Sequence, residues 1–114
     1  MDTFDLAHTI VNALEEKKGE DILLIDIHEI AIFADYFVIC SGSSDRMLEA
    51  LADSAMDEVK KKHALPARVE GLPDNGWMLV DFGDVILHIF STDRRDYYRL
   101  EELWNKGKIL LHLQ

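Results

Sequence analysis

The chain has 114 residues, 48% of them hydrophobic, and sets 12 basic residues against 22 acidic ones for a net charge of −10. Length and composition describe one globular domain with a core of its own and exclude a disordered chain. So few cations disfavour extensive contact with a phosphate backbone, while the acidity fits either a basic protein partner or plain solubility.

The first element is a helix over residues 2–18. Leu6, Ile10, Val11 and Leu14 recur at helical spacing, Asp2 or Thr3 caps the start, and Gly19 ends it. No basic segment followed by an apolar run marks a signal peptide, and no apolar run approaches the ~20 residues of a membrane span. Asp21 to Ile27 is a short, nearly continuous apolar run and reads as a central strand. His28 to Asp35 is a connection, and Tyr36 to Cys40 is a second strand dense in β-formers. Cys40 is the sole cysteine, so no intrachain disulfide forms, which fits a reducing cytosol and a cytoplasmic location. Ser43 or Ser44 caps a helix running to about His63, with Met47, Leu48, Leu51, Ala52, Ala55, Met56 and Val59 on its apolar stripe. Pro66 breaks that helix, 67–70 reads as a short edge strand, and Gly71 to Gly76 is a loop.

Trp77 to Phe90 reads as a hairpin, with Phe82 and Gly83 as the two central turn residues. That turn sets Asp81 opposite Asp84, Leu79 opposite Ile86 and Trp77 opposite His88. Alternation then separates two faces. Met78, Val80, Val85, Leu87 and Ile89 form a core face. Trp77, Leu79, Asp81, Asp84, Ile86 and His88 form a mixed aromatic, aliphatic and acidic face that suits a partner. Its alternative is cover from the chain's own helices. A third helix follows over Asp93 to about Lys106, with Tyr97, Leu100, Leu103 and Trp104 on its stripe. The tail, Ile109 to Leu113, is an extra edge strand or a dimer contact. The expected fold class is a single α/β (α+β) domain over residues 1–107, with a C-terminal tail over 108–114. Its sheet is mixed, of four or five strands, with helices mainly on one face.

Chemistry has little purchase here. The five histidines have no metal-ligand spacing, and HExxH, CxxC and a nucleophile elbow are absent, so neither metal nor cofactor is expected. Asp81 and Asp84 could hold a divalent ion, although two carboxylates on a turn ordinarily just solvate it. The enzyme reading that fits best is a metal-dependent nucleotidyltransferase with the Gly42-Ser43 turn at a helix start. It lacks the paired strand carboxylates such an enzyme needs.

Residues 34–46 (ADYFVICSGSSDR), Gly71, Gly76-Trp77, residues 80–85 (VDFGDV), His88, Phe90, Arg95, Tyr98, Leu100, Glu102, Leu103 and Trp104 together resemble the ribosomal silencing factor family, the Iojap-like proteins. The resemblance covers about residues 5–105 and leaves the last eight residues unassigned. It implies a reduced nucleotidyltransferase fold without catalytic carboxylates, and hence no enzyme. It also implies binding to ribosomal protein fourteen of the large subunit, at the face where the small subunit docks. Subunit joining would then be blocked sterically and translation repressed under nutrient limitation. Carried onto this chain, the partner face is Trp77, Leu79, Asp81 and Asp84, with His88 and Tyr98. A homodimer covering the same face is the remaining alternative.

Overall fold

The computed structural model describes residues 3–29, 32–92 and 108–113. Helix α1 spans Thr3–Glu16, strand β1 Glu20–Asp26, β2 Tyr36–Gly42, helix α2 Asp45–His63, β3 Arg68–Leu72, β4 Trp77–Asp81, β5 Val85–Ser91 and β6 Lys108–Leu113. A single 3-10 turn, Pro73–Asn75, joins β3 to β4. The six strands form one mixed sheet in the order β3-β4-β5-β2-β1-β6, with β2 and β5 parallel and the other neighbours antiparallel. The sheet thus has six strands where the sequence predicts four or five. The difference is the tail, which pairs along β1 as β6. The third helix expected over Asp93 to Lys106, and Tyr98 with it, lies outside the described residues.

Helix ends follow local chemistry. Ser44 caps α2, its hydroxyl accepting from the Met47 amide at 3.1 Å. Helix α1 closes with Lys18, not Gly19, in the left-handed region at φ 62°. Gly19 N–H bonds the Leu14 carbonyl and Lys18 N–H the Glu15 carbonyl, a Schellman pair. Gly19 is needed for another reason. A Cβ there would sit 2.5 Å from Cys40 Sγ, where β2 passes behind the helix end.

Both helices pack on one face of the sheet. Leu6, Ile10 and Leu14 of α1 and Leu48, Leu51, Ala55 and Val59 of α2 bury against Ile22, Leu24, Val38, Cys40, Val80, Leu87 and Ile89. The opposite parity of the same strands builds a second cluster of Leu23, Ile25, Phe37, Ile39, Ile86 and Phe90. The apolar run of β1 is therefore continuous because alternate residues enter two different cores. A wholly open second face, which three helices on one side would leave, is not what forms. Ile25 and Ile39 are fully buried there, and exposure survives along β3 and β4.

Candidate partner-binding face

The hairpin turn is centred on Gly83 and Asp84, not on Phe82 and Gly83. Phe82 N–H bonds the Val85 carbonyl at 3.0 Å, and Gly83 takes φ 97°. The physical reason is Phe82. It continues the alternation of Met78 and Val80 and is buried in the helix-side cluster. Burying such a ring is worth roughly 1.5–3 kcal/mol, so the chain turns one residue later. The register shifts by two, which preserves parity and leaves both face assignments intact. The opposite numbers change. Trp77 pairs with Phe90, Leu79 with His88 and Asp81 with Ile86.

Trp77 is half-buried, and Gly71 on β3 sets its position. A Cβ at Gly71 would lie 2.6 Å from the Trp77 carbonyl oxygen, 2.7 Å from Cε3 and 2.9 Å from Cζ3. Gly71 also takes φ 83°. The indole thus lies against bare backbone at Gly71 and packs on the edge of the second cluster, with part of its surface left exposed. Leu79 is half-buried beside it, and Leu72, paired with Trp77, is 58% exposed. Periodicity had no means of singling out Leu72, because the residues around it read as a turn-rich loop.

The carboxylates are less alike than a sequence pair suggests. One Asp81 oxygen accepts the Gly83 N–H at 2.8 Å, and the other lies 4.0 Å from the Arg68 guanidinium. Asp84 is exposed, and its carbonyl accepts from the amides of Asp35 at 2.7 Å and Tyr36 at 3.2 Å. No group of three His, Cys, Asp or Glu that could hold a metal occurs among the described residues.

His88 lies on this face next to Leu79 but offers little of itself, being 9% exposed. Its ring meets Phe37 edge-on at 4.8 Å and stacks within 6° of Phe90 at 6.2 Å. Neither ring nitrogen has a hydrogen-bond partner among the described residues. Burial pushes its pKa down to about 4, so the ring is neutral at physiological pH. Burial therefore divides the expected site. Trp77, Leu79, Asp81 and Asp84 reach the surface, whereas His88, on the same face, is buried beside Leu79.

The Gly42 turn is built for packing. A Cβ at Gly42 would come within 2.8 Å of Leu48 Cδ2 and 3.1 Å of Met47 Cγ. The first turn of α2 occupies the space above the glycine, which accounts for it without a phosphate.

The family model described as ribosomal silencing factor during starvation matches residues 1–112. This chain belongs to that family. The ribosomal silencing factor of Bacillus subtilis is 42% identical over 97 residues, covering 85% of this chain and 82% of its own. The chloroplastic Iojap protein of Zea mays is 30% identical, covering 89% of this chain and 44% of its own. A crystal structure of a Chromobacterium violaceum protein superposes with a TM-score of 0.87 at 32% identity, covering 92% of this chain and 88% of that one. The family name describes a translational regulator.

Proposed function

We propose that this ribosomal silencing factor acts in the cytoplasm by binding the large ribosomal subunit through ribosomal protein fourteen. Bound there, it blocks docking of the small subunit and represses translation when nutrients are short. The observation that carries the reading is the half-buried Trp77, set against Gly71 with Leu72 and Leu79 beside it, and Asp81 and Asp84 along the same hairpin. A relative supports the choice of subunit: a mouse protein 34% identical to this chain is named for mitochondrial assembly of the ribosomal large subunit. In this mechanism the indole is the buried anchor, the carboxylates meet Lys or Arg on the partner, and the bound domain excludes the small subunit by volume alone. An aromatic anchor of this kind costs at least ~2 kcal/mol on truncation, or roughly thirtyfold in affinity.

The test mixes purified small and large subunits with increasing protein and separates them by sedimentation. Joined ribosomes should decline with the wild-type chain and persist with Trp77→Ala. A joined fraction indifferent to the wild-type protein would overturn the proposal.

A further inference from the structure

The strongest exposed apolar feature besides the Trp77 strip is on the β1–β2 connection. Ile32 is fully exposed and Phe33 is 55% exposed. Ile32 and the exposed part of Phe33 make an apolar patch of the kind that marks an interaction surface. The segment that follows them is anchored by backbone. Asp35 and Tyr36 N–H both bond the carbonyl of Asp84, and Ile27 N–H bonds that of Asp35. The loop is therefore tied to the tip of the β4–β5 hairpin, beside the acids assigned to the partner. The Phe33 ring stands 5.9 Å from Phe37, and Phe37 in turn meets His88, which pairs with Leu79 across the strands. An unbroken row of side chains, Phe33, Phe37, His88 and Phe90, thus runs from this loop to the strand opposite Trp77. The surroundings are acidic: Glu29 and Asp84 are exposed and Asp35 is half-exposed.

We propose that Ile32 and Phe33 form a second apolar anchor, at the hairpin-tip end of the face, for the same basic protein surface that Trp77 engages. This rests on the function proposed above. An apolar pair ringed by carboxylates fits a partner with a hydrophobic spot among Lys and Arg, and a chain of net charge −10 repels a second copy of itself at such a spot. The two anchors flank a rigid sheet, so the partner is held at two separated points and its orientation is set. A single tryptophan would leave it free to pivot.

The test uses the full chain with Ile32→Ser, Ile32→Ser/Phe33→Ser and Trp77→Ala, each titrated against purified large subunits. Ile32 has no burial to lose, so the single variant should melt like wild type and isolates binding from folding. We expect the double variant to bind at least about tenfold more weakly and the single variant about threefold more weakly. If Trp77→Ala weakens binding and both loop variants stay within about twofold of wild type, the second anchor is wrong while the tryptophan face stands. If none of the three weakens binding, both readings fall. If the loop variants instead abolish self-association at unchanged subunit affinity, the pair serves a second copy and the proposal is overturned.

Discussion

His88 makes the stability of this domain depend on pH in a way that can be worked from its surroundings. In the folded chain, burial lowers its pKa from 6.5 to about 4. In the unfolded chain the imidazole is hydrated and titrates near its ordinary value. Between those two values the unfolded state binds one more proton than the native state, so stability falls as pH drops through the window. Above 6.5 the ring is neutral in both states and contributes no slope. Each pH unit inside the window removes about 1.4 kcal/mol, so the whole window spans about 3 kcal/mol and the loss by pH 5 is about 2 kcal/mol. His88→Phe is the control. It keeps an aromatic ring between Phe37 and Phe90 and removes the proton site. Other titrating groups are shared by both chains and cancel in the difference. Urea unfolding of the two proteins at about pH 7.5 and about pH 5 measures it. The variant should gain about 2 kcal/mol on wild type between the two conditions. A difference constant to within about 0.5 kcal/mol would mean that the ring protonates freely in the native state, and the account of a dry, neutral imidazole would be refuted.

Gly71→Ala should destabilise the domain by about 1–3 kcal/mol, because the methyl group meets both a left-handed backbone and the indole; urea midpoints measure the loss. Trp77 fluorescence should shift in the same variant as the ring is displaced. Ser44→Ala should cost about 1 kcal/mol through the lost cap on α2, read as a lower thermal midpoint. The His28 ring donates from Nδ1 to the Asp26 carboxylate at the surface, and that carboxylate raises its pKa above 6.5. Its NMR titration should therefore have a midpoint above 6.5 that returns toward that value in Asp26→Asn. Raising salt from low to physiological strength should weaken binding to large subunits in wild type more than in Asp81→Asn/Asp84→Asn, because exposed charge pairs are screened.

Much of the fold was legible because it rests on local pattern. The stripes of α1 and α2, the Ser44 cap, the double-sided burial of β1 and the two faces of the hairpin all follow from alternation and capping. The hairpin register was not legible, since the choice between two adjacent turns depended on whether Phe82 found a core to enter. Of the site, Trp77, Leu79, Asp81 and Asp84 do lie on one hairpin, and Trp77 and Leu79 share one parity. His88 shares that parity, but depth depends on what lies above a side chain, and parity says nothing about that. Two glycines show the same limit. Gly71 and Gly42 both look like turn residues in the chain. One makes room for an indole from the next strand, and the other for leucine side chains of the next helix.

By itself the sequence determined the two helices α1 and α2, the strands through β5 and which side of each strand is apolar, because those properties are set by neighbours a few residues away. Only the tertiary structure decided how deep each residue lies, where the tail pairs and which loop stands beside the hairpin tip. Those depend on contacts between segments far apart in the chain, such as the Asp84 carbonyl with the Asp35 and Tyr36 amides, and no local periodicity encodes them.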